Sequence, residues 1–283
     1  MKNTILIITI FLSFSIQAQE KPAYRIFNKG GDQVSYAEMI DDLSGGDVVL
    51  FGELHNNSIA HWLEYEVTKD LSSKRDLVIG AEMLEADNQN ELNKYLKGKI
   101  DAKAYDTLVR LWSNYETDYA KLVDFAKDNK LPFIATNIPR RYANMVYKGG
   151  FEALDELSKK EKAWIAPLPI TFDPELATYK EIIEMMGEHG TPELVKAQAM
   201  KDATMAYFIL ENLKKDKLFV HYNGRYHSDY YEGIVWYLKL ADMDKKYLTI
   251  TTVEQDDVEV LEKDNHHVAD YVICVDSDMT TTY

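Results

Sequence analysis

Hydrophobic and polar positions alternate along this chain in blocks that predict strands separated by helices. Asp47-Val48-Val49-Leu50-Phe51 is a compact apolar run between Gly45-Gly46 and Gly52, which predicts a buried strand ending in a tight turn. From Ser58 to Leu71 the apolar residues Ile59, Trp62, Leu63, Val67 and Leu71 recur at helical spacing. Asp76 to Met83 repeats the strand pattern, with Glu82 near its carboxyl end, and completes a βαβ unit. Further strands are predicted at Leu131–Thr136, Leu218–Tyr222, Tyr247–Val253 and Tyr271–Val275. Asn137 and Pro139 read as the cap and first turn of a helix carrying Arg140 and Arg141. Thr191-Pro192-Glu193 opens a long helix to about Leu213, and Asp229 to Leu240 reads as another. Residues 86–129 and 151–189 are expected to be helical insertions. The expected fold class is α/β, a mostly parallel central sheet flanked by helices.

The N-terminus follows another pattern. Lys2 and the apolar run Ile5 to Phe14, followed by the polar stretch from Ser15 and by Ala18, have the form of a signal peptide covering residues 1–18. The run is too short to span a bilayer. Residues 19–283 are then expected to form a single α/β domain, periplasmic or secreted after cleavage. No cysteine follows the leader to carry a lipid, so the chain does not read as a lipoprotein. The single cysteine, Cys274, falls in a strand pattern and reads as a core thiol.

A formal charge of −15 argues against nucleic acid as a partner, because phosphate neutralisation needs a clustered basic surface and none is visible. Tyrosine is abundant, with 19 residues, and Tyr222, Tyr226, Tyr230 and Tyr231 lie close together.

In open parallel sheets, reactive groups collect where strand carboxyl ends meet the following helices. Three such ends carry suitable side chains here: Glu53 and His55 after Gly52, Glu82, and His227 after Gly224. Two histidines with one or two carboxylates can bind a divalent metal or perform acid–base chemistry. The form Gly-x-x-His occurs at two of these ends, and glycine permits a sharp turn and leaves room for a ligand. Arg140 and Arg141 could hold a carboxylate at a helix start. Gln198, Lys201, Asp202 and Met205 share one helical face that could border the site. His266-His267 reads as an exposed loop pair.

Taken in order, Val48 to His55, Ile79 to Met83, Leu131 to Arg140, Gln198 to Ala206 and Gly224-Arg225-Tyr226-His227 resemble the successive signatures of ChaN-like haem-uptake proteins, grouped with the Tiki and erythromycin-esterase-like proteins. The resemblance runs from about residue 46 to 240. It implies an α/β fold, export to the envelope and haem binding during iron uptake, with a tyrosine as iron ligand. Tyr222, Tyr226 and Tyr230, with Arg140 and Arg141 for the propionates, are the expected haem contacts. Candidate macromolecular partners are an outer-membrane haem receptor and a second copy of the chain, as a homodimer. The alternative is a divalent-metal-dependent hydrolase, with manganese, cobalt or zinc held by His55, Glu82 and His227 and with Glu53 as general base.

Overall fold

The computed structural model describes residues 21–283, so the expected signal peptide lies outside the described residues. Seven strands form one sheet: β1 (Tyr24–Asn28), β2 (Val48–Glu53), β3 (Leu77–Glu85), β4 (Phe133–Asn137), β5 (Leu218–Gly224), β6 (Tyr247–Gln255) and β7 (Tyr271–Asp276). Their order is β1-β7-β6-β2-β5-β3-β4. Every neighbouring pair is parallel except β1 with β7.

The helices are α1 (Tyr36–Leu43), α2 (Ser58–Lys74), α3 (Gln89–Leu96), α4 (Ala102–Leu108), α5 (Ala120–Asp128), α6 (Arg140–Gly149), α7 (Lys159–Lys162), α8 (Ala177–Met185), α9 (Pro192–Asn212) and α10 (Ile234–Ala241). They cover both faces of the sheet, which explains why the central strands are apolar without alternation. On one face Val49, Phe51, Ile79 and Val220 meet Leu63, Val67 and Leu71 of α2. On the other, Val48, Leu50, Val78 and Phe219 meet Met205 and Ile209 of α9 and Ile234 and Leu238 of α10. Among the described residues no helix is long and apolar enough to cross a membrane.

The local chemistry explains most boundaries. The Asn57 side chain accepts from the Ala60 N–H and starts α2, and Thr191 caps α9 ahead of Pro192. Ser35 and Glu38 form a reciprocal capping box on α1. Strand β1 and helix α1 escape the hydrophobic pattern, because both are short and half exposed.

Two sequence expectations change. Asn137 is the last residue of β4 rather than a cap, and α6 begins after Pro139 with no side-chain cap. The helix expected from Asp229 begins only at Ile234, because Tyr230, Tyr231 and Gly233 all have positive φ. Residues 86–129 hold α3, α4 and α5 as separate helices, and a π-helical turn at Tyr115–Tyr119 runs into α5.

Candidate functional site

Strand register brings the two Gly-x-x-His motifs together. Glu53 stands opposite Gly224 in the β2–β5 pair, while β5 pairs on its other side with β3, which carries Glu82. The Gly224 N–H donates to Glu82 Oε2 at 2.8 Å. A Cβ at Gly224 would lie 2.7 Å from the His55 ring, and one at Gly52 would lie 2.9 Å from the Arg225 backbone. Glycine is therefore required at both strand ends, so that each motif can cross close over the other.

Two buried polar clusters diverge from this crossing. In the first, Glu53 Oε1 is 2.6 Å from His55 Nδ1 and accepts from the Tyr119 hydroxyl at 2.7 Å. Glu53 Oε2 lies 3.1 Å from His61 Nδ1, which is also 3.4 Å from Glu64 Oε2. Burial favours a protonated Glu53, but His55 and His61 outweigh it and hold the carboxyl down at about 2. Burial disfavours a charged His61, yet the two carboxylates raise it to about 11. Glu64 is pushed well above the usual carboxylate range, first by burial and then by repulsion from Glu53.

In the second cluster, His227 bridges two buried acids. Its Nε2 is 3.2 Å from Glu82 Oε1, and its Nδ1 bonds to Asp202 Oδ1. Asp202 is held from behind by the Tyr179 hydroxyl at 2.9 Å. Burial disfavours a charged His227, but Glu82 and Asp202 raise it to about 9. Burial raises Glu82 as well, and His227 and His55 reverse this to leave it well below the ordinary range. Asp202 stays raised, because burial exceeds the help it receives from His227.

A cleft of about 280 Å³ opens beside Glu82, between α6 and α9. Trp112, Arg140, Tyr147, Leu194 and Lys201 line it. A broader depression of about 800 Å³ adjoins it across Glu85, Trp112 and Arg140. Tyr147 is 40% exposed, and neither its hydroxyl nor Arg140 makes a hydrogen bond or ion pair among the described residues.

The sequence-derived residues separate on this map. His55, Glu82 and His227 do converge, around Gly224. Glu53, the expected general base, is sealed from solvent, and its oxygens face His55, Tyr119 and His61. Tyr222 cannot touch haem: it is 0% exposed, with its hydroxyl bonded to Thr68 and to the Glu64 carbonyl. Tyr226 and Tyr230 do not line the cleft; the Tyr226 hydroxyl is 3.7 Å from Met185 Sδ on α8. Arg140 lines the cleft, whereas Arg141 is committed to Asp87 at 2.7 Å and stacks over Tyr142. On α9, Lys201 lines the cleft, Gln198 reaches within 3.0 Å of His227 and Asp202 binds it, but Met205 belongs to the core.

The sequence profile of a family described as haem-binding uptake, Tiki superfamily, ChaN, matches residues 39–238. The chain belongs to this ChaN family. Its fold is similar to the structure described as cofacial haem binding to ChaN of Campylobacter jejuni, with a TM-score of 0.67, 19% identity, and coverage of 90% of this chain and 97% of that one. It is also similar to a mutant erythromycin esterase, EreC, in its open conformation, with a TM-score of 0.53, 10% identity, and coverage of 89% and 97%. A chloroplastic protein of Arabidopsis thaliana, RETICULATA-RELATED 5, is 27% identical over 104 residues, which is 35% of this chain and only 14% of that protein.

In this ChaN-family chain the residues that sequence reasoning missed are His61, Glu64 and Tyr119 in the first cluster and Tyr147 in the cleft, none of which stands in a strand-end motif. His61 lies six residues after His55, and its Nε2 is 3.0 Å from the His55 carbonyl. The signal available was a histidine and an acid three residues apart on one helix.

His227 also makes stability depend on pH. Its folded value of about 9 stands above the ordinary 6.5, so its contribution is complete below pH 6.5 and is lost as pH rises through about 9. The raised Asp202 acts in the same direction. Thermal denaturation between pH 6 and pH 10 is therefore expected to show a falling Tm on the alkaline side, with a flatter profile for His227→Gln. An equally steep profile in that variant would remove His227 as the cause.

Proposed function

We propose that this protein binds haem in the cleft between α6 and α9, as an exported carrier in iron uptake. Family membership supplies the ligand class, and the observation that carries the location is the exposed Tyr147 beside Arg140, Lys201 and Trp112. A flat, amphipathic anion with a metal at its centre needs an apolar wall, cations at one edge and a ligand atom. Trp112, Ile138, Ala143 and Leu194 offer the wall, and Arg140 and Lys201 suit the propionates. The Tyr147 oxygen, free of hydrogen bonds among the described residues, suits the iron. The combined depressions are open on one side, so a second copy of the chain or an outer-membrane receptor would cover the outer face of the ring. Support for the second copy comes from the cofacial haem binding described for the Campylobacter protein. The leader expected at residues 1–18 supports a periplasmic or secreted location, which N-terminal sequencing of the exported protein tests.

Haemin titration of the purified chain is expected to give a saturable visible band. Tyr147→Phe should weaken binding by about tenfold or more, equivalent to about 1.4 kcal/mol, while Tyr226→Phe and Tyr230→Phe change it little. Absence of saturable binding would remove the haem reading, and a large effect of Tyr226→Phe alone would move the haem to the α8 side.

One observation favours a second reading, hydrolysis. His55 is held at Nδ1 by Glu53, and its side chain is 39% exposed, so the rest of the ring faces the Gly224 crossing beside Glu82 and His227. That is an oriented proton carrier next to a charged pair. In this reading His55, Glu82 and His227 would also hold the divalent ion. Ester hydrolysis that appears with added manganese, cobalt or zinc and disappears in His55→Ala would support it; no activity with any of the three would end it.

A further inference from the structure

We propose that Glu53, His61 and Glu64 form a buried site for one divalent transition-metal ion of the zinc or cobalt type, apart from both the haem cleft and the His55–Glu82–His227 set. One ligand atom from each of the three lies within 4.8 Å of the others. Glu53 ends β2, while His61 and Glu64 stand three residues apart on α2, on the face turned toward that strand end.

The distances fit ligands sharing an ion. His61 Nδ1 is 3.1 Å from Glu53 Oε2 and 3.4 Å from Glu64 Oε2. Bonds of about 2.0–2.1 Å at tetrahedral angles separate neighbouring ligand atoms by about 3.4 Å. Glu53 Oε2, despite its short approach to Nδ1, has no hydrogen-bond partner, and neither does Glu64 Oε1. A buried carboxylate oxygen without a donor is costly, and a cation coordinated by Glu53 Oε2 removes that cost there.

The tautomer fits as well. His61 Nε2 is 3.0 Å from the His55 carbonyl, which can only accept, so Nε2 carries the hydrogen. Nδ1 is then left with its lone pair toward the two carboxylates. An imidazole that donates its far N–H to a backbone carbonyl is the usual arrangement for a metal-bound histidine. Outside the trio, the Tyr119 hydroxyl and His55 Nδ1 hold Glu53 Oε1, at 2.7 and 2.6 Å, and so fix its orientation. Two carboxylates and a neutral imidazole sum to a formal charge that a divalent cation cancels. The competing occupant is a proton on Nδ1, which would make the trio a buried ion pair and nothing more.

The test is titration of the chelator-treated, purified chain with Co²⁺, read from its visible d–d absorption, followed by displacement with Zn²⁺. One equivalent is expected to bind, with a rise in Tm. Glu64→Gln, which keeps the side-chain volume, and His61→Gln should each weaken Co²⁺ binding by about tenfold or more, whereas His189→Gln, at an exposed position, should leave it unchanged. The proposal is overturned if neither Co²⁺ nor Zn²⁺ gives saturable one-to-one binding. It is equally overturned if Glu64→Gln and His61→Gln bind as tightly as the parent, or if His189→Gln weakens binding as much as they do. Haemin titration is read separately, so either proposal can fail without the other.

Discussion

Replacing His227 with alanine is expected to lower the stability of the fold by about 3–5 kcal/mol, because it removes the cation between two buried carboxylates. Glu82 and Asp202 are 4% and 0% exposed, and His227 contacts one with each ring nitrogen. Without the ring, the two acids face each other across a cavity, each keeping a single neutral donor: the Gly224 N–H for Glu82 and the Tyr179 hydroxyl for Asp202. Water entering the cavity recovers part of the loss, which keeps the effect from exceeding the range for a broken buried pair. For a chain of this size the corresponding fall in Tm is roughly 6–10 °C. Urea unfolding measures the change, and alanine at the exposed His189 is the control, expected to stay within about 0.5 kcal/mol. A loss below about 1 kcal/mol for His227→Ala would mean that the acids are not paired through this ring.

The same geometry shows what the sequence could and could not convey. The parallel sheet was legible because strands buried on both faces must be continuously apolar, and glycines at two strand ends marked backbone crossings that side chains would block. His55, Glu82 and His227 followed from that reading. The Glu53 cluster did not, because a helical pattern assigns apolar residues to the core and charged ones to solvent. Helix α2 breaks this rule: Trp62 is 45% exposed, while His61 and Glu64 are buried against the end of β2. Their contact with each other and with Glu53 makes that burial tolerable, and the contact with Glu53 joins separate elements. Tyr222 misled for a related reason. Its nearness in sequence to the second motif says nothing about which face of β5 it occupies, and that face is the one packed on α2. Tyr147 stands two turns after Arg140 on α6, but it went unmarked because a tyrosine inside a helical pattern reads as an ordinary surface position, and it reaches the cleft only through the packing of α6 against α9.

Gly233→Ala is the second substitution expected to be severe, because it strains the backbone and displaces His227 at once. Gly233 has φ 54° and ψ −120°, a conformation that side-chain-bearing residues avoid. A Cβ there would sit 2.4 Å from the His227 carbonyl oxygen and 2.9 Å from its carbonyl carbon, so relief requires the backbone of His227 itself to move. Conformational strain of about 1–3 kcal/mol and overpacking of about 1–3 kcal/mol together predict a loss of about 2–6 kcal/mol. Gly98 provides the contrast: its φ is also positive, at 64°, but a Cβ there would meet nothing within 4 Å. Gly98→Ala should therefore cost only the strain, about 1 kcal/mol. Urea unfolding of the two variants compares a positive-φ glycine whose Cβ would strike backbone with one whose Cβ would meet nothing. If Gly233→Ala costs no more than Gly98→Ala, the backbone around His227 yields without resistance, and the fixed position of the ring between Glu82 and Asp202 must come from the acids alone. If the larger loss is found, together with a flattened alkaline fall in Tm, then the turn through Tyr230, Tyr231 and Gly233 is what holds the second Gly-x-x-His motif against the first.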